Sequence, residues 1–344
     1  MTGRARVVVV LGVLVALGVL VAPGRPASAE TFARSVLSVG GARIELSVEE
    51  DPGAAASPVV VARWVRRAAG AVASFYGRFP VARVRMVVHR TPGRGIHGTA
   101  FGSGFIRVQL GREATSAELD RDWVMTHEMF HLGFPDLERS HLWMQEGLST
   151  YFEPIARVRA GQMRADQLWR ELFSGLPHGL PREGEGGLDQ TPSWGATYWG
   201  GALFWFLADL EIRERTGNRH SADDVLRAVL AAGGDGSQDW SIERVLSVGD
   251  RATGTQAMTS VYRRLAGKRF EVDLGALAAR LGVGPRGVDD RAPLAAIRRS
   301  ITAPGTARCP EAPAGARPPP PGATRPTPCP AYRPPYARPG TRGR

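Results

Sequence analysis

THEMFHLGFPDLERSHLWMQEGLSTYFE (residues 126–153) holds two histidines four apart, a glutamate beside the first, and another glutamate fifteen positions after the second. On a helix His127 and His131 project from one face, one turn apart. Two neutral imidazoles so placed can both reach one Zn²⁺ at roughly 2.0–2.1 Å. Glu128 need not bind the ion; it can hold a water of the ion and take its proton. Leu119, Val124, Met125, Met129 and Phe130 give this helix apolar surface to bury. Thr115-x-x-Glu118 is a capping-box signature, so the spacing predicts one helix from there to about Leu132.

A third ligand has two candidate sources. In H-E-x-x-H-x-x-G-x-x-H/D sequences the chain turns at a glycine three residues after the second histidine, and the ligand follows three later. Those positions are Phe134 and Leu137 here, and Gly133 and Asp136 each fall one residue early. A turn fixes its glycine at a set offset, so the slip rules out this source. The other source is a second helix, predicted over about Ser140–Ala160, which offers Glu146 with Trp143 and Thr150 on the same face. Gly147 leaves room for close helix packing, and Pro135 sits in a loop that can reverse the chain. Asp136 and Glu138 fall in that loop and His141 precedes the helix, positions suited to solvation or capping. Two histidines, one glutamate and a water make the open coordination of catalytic rather than structural zinc.

HEMFH and WMQEGLSTYFE together resemble the gluzincin metallopeptidases of the peptidase MA-like, aminopeptidase-N-like superfamily. Their pattern is H-E-x-x-H followed by W-x-x-E-G-hydrophobic-small-x-Tyr, and His127, Glu128, His131, Trp143, Glu146, Gly147, Leu148, Ser149 and Tyr151 match it in turn. Fourteen residues separate His131 from Glu146, fewer than in the aminopeptidase-N type and nearer the compact MA-like members. The resemblance implies an α+β, thermolysin-like zincin catalytic domain. It implies one zinc ion on His127, His131 and Glu146, with Glu128 as general base in the hydrolysis of a peptide or protein substrate. It extends to TYWGG, where Tyr198 would assist the oxyanion; a half-buried structural tyrosine beside Trp199 and Phe204 is the other reading. The superfamily's G-x-M-E-N strand, whose glutamate holds a substrate amine, corresponds to GTAFGSGFIRV (98–108), which contains no acid. The motifs cover residues 98–216. A catalytically inactive, metallopeptidase-like envelope or adhesion module is the competing reading.

Outward from the site, residues 33–49 read as a hairpin about Gly40-Gly41, 58–76 as a helix, 82–90 as a strand and 98–110 as one strand with a bulge. Beyond a Gly/Pro-rich loop (174–196), helices are predicted at 198–216, 221–232, 254–266, 273–281 and 292–301. This gives a signal peptide (1–29), an N-terminal α+β subdomain with a cleft-edge strand (30–112), a helical zinc-binding region (113–302) and a disordered Pro/Arg-rich tail (303–344).

The ends carry most of the charge. Residues 1–29 contribute +3 and residues 303–344 contribute +6, leaving +2 of the net +11 on the body. A nearly neutral body gives no reason to expect nucleic acid as a partner. Arg4 and Arg6, the apolar run Val7–Ala22 and Ala27-Ser28-Ala29 make a secretory signal, so the expected location is secreted or envelope-associated. The same run is the one stretch open to reading as an uncleaved anchor. Half of the 26 prolines lie in the tail, which cannot build an apolar core. Its arginines could touch an anionic envelope weakly, and its Cys309 and Cys329 could close a disulfide loop. A monomer is expected.

Overall fold

The computed structural model describes residues 31–304. The signal-peptide reading and the tail beyond residue 304, with both cysteines, lie outside the described residues. Gly40 (φ 55°) and Gly41 (φ 85°) both take the left-handed conformation. That is what a two-residue hairpin turn demands, and it joins β1 (Phe32–Val39) to β2 (Ala42–Glu49). Helix α1 (Pro58–Tyr76) follows, capped by Ser57 and ended at Gly77 (φ 83°). It carries the chain over to β3 (Arg83–Thr91), which pairs parallel with β2.

Residues 98–110 form two strands instead of one. β4 (Ile96–Phe101) and β5 (Phe105–Gly111) pair antiparallel, and Gly104 (φ 72°) lets the chain reverse between them. The glycines that suggested a bulge make a full turn. The sheet order is β1-β2-β3-β5-β4, so β4 is an edge strand. Ile44, Val84, Leu46, Met86, Ile106, Val88 and Val108 lie in register across the central strands and are all buried. Helix α1 packs on β1 and β2 and also on the site-bearing helices, so sheet and helices share one apolar core.

The helix expected over 115–132 is broken into α2 (Ser116–Arg121) and α3 (Val124–His131). Asp122 takes an extended conformation (φ −61°, ψ 143°) and accepts both the Met125 N–H and the Trp64 indole N–H, each at 3.1 Å. A short acid that can cap a following turn competes with helix continuation, and here it wins. Further on come α4 (Leu142–Arg159), α5 (Ala165–Gly175), α6 (Gly201–Thr216), α7 (Ala222–Ala231), α8 (Ile242–Thr253), α9 (Ala257–Leu265), α10 (Leu274–Leu281) and α11 (Ala295–Thr302), with a small β6–β7 ribbon (Val283–Gly284, Gly287–Val288) before the last. Helices α5 and α8 are additions to the sequence reading. The chain is thus mixed α+β, a small N-terminal sheet followed by helices.

Residues Gly195–Gly200 wind as a π-helical turn, so α6 begins only at Gly201. Helices α4 and α6 cross closely: a Cβ on Gly147 would lie 2.1 Å from the Gly201 carbonyl carbon. Among the described residues no helix is long and apolar enough to cross a membrane.

Candidate metal centre

Helix α3 is held from behind by its apolar face. Phe130 packs edge-on against Phe75 (ring centroids 5.2 Å) and stacks on Phe152 of α4 (6.4 Å). This fixes the roll of α3 and turns His127, Glu128 and His131 toward α4 and β4. The two imidazoles lie 5.0 Å apart between centroids. Glu146, one residue before the tight contact of α4 with α6, reaches between them. Its Oε2 is 3.1 Å from His127 Nε2 and 3.5 Å from His131 Nε2.

One donor atom from each of His127, His131 and Glu146 lies within 4.8 Å of the others. Two imidazole nitrogens and a carboxylate oxygen converging on one point suit a zinc ion. Burial opposes ionisation of Glu146, but the facing imidazoles outweigh it and hold its carboxyl well below the usual range. Burial pushes His127 down, toward the neutral form a metal requires. At His131 burial acts in the same sense, but Glu146, Glu128 and Asp136 prevail and raise it.

Glu128 lines the same cleft and is bound to β4 instead of joining this trio. Its Oε2 accepts the Ala100 N–H of β4 at 2.7 Å. The space is made by Gly98, where a Cβ would sit 2.4 Å from Glu128 Cγ. The acid-free edge strand therefore holds the glutamate through its backbone.

The rival carboxylate Asp136 is engaged elsewhere. Asp136 Oδ1 accepts from Gln145 Nε2 at 3.0 Å, and its backbone bridges the Gln238–Trp240 segment. His141 faces Asp189, which also accepts from Trp143 and Tyr262. Neither Asp136, Glu138 nor His141 joins the trio.

Tyr198 lies in the π turn with its ring 6.1 Å from that of His127, on the wall of the cleft. Half-burial and the Glu146 and Glu128 carboxylates push its hydroxyl up to about 12, so it keeps its proton at neutral pH. Its neighbour Trp199 fills the helix contact instead, against Gly175 and Gly179. The cleft measures about 440 Å³ and has β4 as one wall. Trp123, Phe101 and Leu142 also line it and were missed in the sequence. A usable signal existed for Trp123, which precedes His127 by four residues and so shares its helix face.

No family model matches the sequence, and no curated protein is significantly similar to it. Solved structures are similar in fold. An aminopeptidase N family protein from Idiomarina loihiensis superposes with a TM-score of 0.58 at 15% identity, over 73% of this chain and 49% of that one. An M1 zinc metallopeptidase from Deinococcus radiodurans gives 0.47 at 15%, over 71% and 53%. Legionella pneumophila aminopeptidase A gives 0.46 at 14%, over 69% and 28%. The chain spans about half the length of the Idiomarina protein and shares the fold of the part it covers.

Proposed function

We propose that this chain is a zinc-dependent peptidase with a thermolysin-like zincin centre. The observation that carries the reading is the convergence of His127, His131 and Glu146 beside Glu128 in a cleft walled by an edge strand. Bound zinc would supply Lewis acidity to an attacking water and to the substrate carbonyl. Glu128 takes the proton of that water and delivers it to the leaving amine. Tyr198, protonated at neutral pH, donates a hydrogen bond to the developing oxyanion. The outer edge of β4, apart from the Ala100 N–H that Glu128 takes, offers an extended peptide a strand to align with.

Export by residues 1–29 and action as a monomer on peptide or protein belong to the same proposal. The test is zinc content together with hydrolysis of a peptide library, with and without chelator, for wild type and Glu128→Gln. We expect about one zinc per chain and chelator-sensitive cleavage that falls by ~10²–10⁴ in the variant. Zinc-loaded wild type that cleaves nothing would favour the binding-module reading. Undiminished cleavage by the variant would remove Glu128 as the base.

A further inference from the structure

We propose that Trp123 and Trp194 form two apolar subsites flanking the metal centre, selecting peptides with bulky apolar or aromatic side chains next to the cleaved bond. The inference rests on the peptidase reading above and names its substrate class.

Seven large hydrophobic side chains are exposed among the described residues, and four of them gather at this one cleft. Phe101, Trp123 and Leu142 line it, and Trp194 packs beside it on Tyr198. Single exposed apolar residues scattered over a surface need no explanation, but several gathered at one concavity mark a binding surface.

The two tryptophans are the most exposed of the four, at 51% and 63%. They end a continuous file of rings. Trp123 meets His127 edge-on at 5.3 Å between centroids, His127 lies over Tyr198 at 6.1 Å, and Tyr198 lies against Trp194 at 6.1 Å. The inner two rings belong to the proposed centre and the outer two are open. A peptide whose carbonyl lies between the His127 and Tyr198 rings thus has an indole next to each of them, Trp123 beside the one and Trp194 beside the other. Both indoles stand on backbone fixed by the site itself, Trp123 just before α3 and Trp194 just before the π turn. Rigid aromatic anchors lose little entropy on binding. Polar charge points the same way. Glu128, Asp136 and Glu146 line the cleft and no arginine or lysine does, which disfavours an acidic substrate side chain there.

The test is binding to the zinc-loaded Glu128→Gln protein, read by calorimetry and tryptophan fluorescence. The probes are hexapeptides, end-blocked and with free amino termini, that differ only at the two central residues: Phe-Leu, Ala-Ala or Glu-Glu. We expect Phe-Leu to bind at least ~10-fold more tightly than Ala-Ala, a difference well within what one buried aromatic side chain supplies. Glu-Glu should bind most weakly. Trp123→Ala and Trp194→Ala, added singly, should each shrink the Phe-Leu to Ala-Ala ratio at least ~3-fold, and Trp123→Phe should retain most of it. Equal affinities, or a ratio unchanged in both alanine variants, would overturn the subsites. Tight Phe-Leu binding without cleavage by wild type would sink the peptidase reading and leave the subsites standing. Indiscriminate cleavage would do the reverse.

Discussion

The backbone N–H of Ala100 donates to Glu128 Oε2 at 2.7 Å, tying the proposed base on α3 to the edge strand of the sheet. The contact needs Gly98, whose Cβ position falls 2.4 Å from Glu128 Cγ. Gly98→Ala should push the carboxylate aside without touching the metal ligands. A displacement of about 1 Å at a catalytic group costs up to ~100-fold in rate. We expect kcat to fall ~10- to 100-fold with zinc content unchanged, measured by steady-state kinetics and metal analysis. A variant with normal kcat would show that Glu128 is placed by α3 alone.

Glu146 is the only one of the three donors outside α3, so removing it should weaken metal binding and leave α3 intact. Glu146→Ala should lose zinc to a competing chelator at concentrations where wild type stays loaded. The affinity loss should exceed the ~10- to 100-fold typical of residues that merely support a ligand. Chelator should lower the melting temperature of wild type, because a metal bound only by the folded state stabilises it, and should do little to the variant. Equal zinc retention would point to a different third donor.

Gly147→Ala tests the crossing of α4 and α6. Alanine is the better helix former by about 1 kcal/mol, yet its Cβ would lie 2.1 Å from the Gly201 carbonyl carbon and 2.2 Å from its Cα. Backbone cannot yield as a flexible side chain would, and overpacking costs about 1–3 kcal/mol. The net expectation is destabilisation in urea unfolding, with reduced zinc affinity because Glu146 is next in sequence. A gain in stability would mean the two helices separate freely.

Glu153 gives the stability a pH dependence. Burial pushes its carboxyl up to about 7, against the pull of Arg157 and with help from Asp122 and Glu171. A folded-state value above the unfolded one means the folded state holds the proton more tightly. The stabilisation is therefore complete below the unfolded value and is lost as pH rises through about 7. Between those limits wild type should lose up to about 1.4 kcal/mol per pH unit relative to Glu153→Gln, measured by urea unfolding from pH 4.5 to 8. Parallel stability curves would show that Arg157 keeps Glu153 ionised throughout.

The convergence of His127, His131 and Glu146 beside Glu128 was legible because helical spacing and a second helix restrict where these side chains can point. The hairpin turn and α1 were legible for a similar reason, since Gly40-Gly41 and the Ser57-Pro58 start act locally. What the sequence concealed depends on contacts between distant segments. Asp122 breaks a helix because Trp64, fifty-eight residues earlier, also donates to it. Gly102 and Gly104 read as a bulge until pairing of β4 with β5 shows a turn. The Ala100 N–H carries no side-chain signature at all. Helices α5 and α8 were unassigned, although their apolar faces, Leu168, Trp169 and Leu172 in one and Ile242, Val245 and Leu246 in the other, follow helical spacing.

The π-wound turn at Gly195–Gly200 holds an extra residue relative to α winding, and extra residues can be removed. Deleting one residue from it would let the segment relax into continuity with α6 while α6 keeps its contacts. Positions before the deletion would then swing by about 100° around the helix axis, one residue's share of a turn. With Trp199 or Gly200 as the residue removed, Tyr198 would leave the cleft wall and Trp194 its place beside it, although neither had been substituted. The orientation of that wall is thus encoded in a residue count as much as in residue identity, and alignment gaps here would signal altered chemistry before any change of letter did.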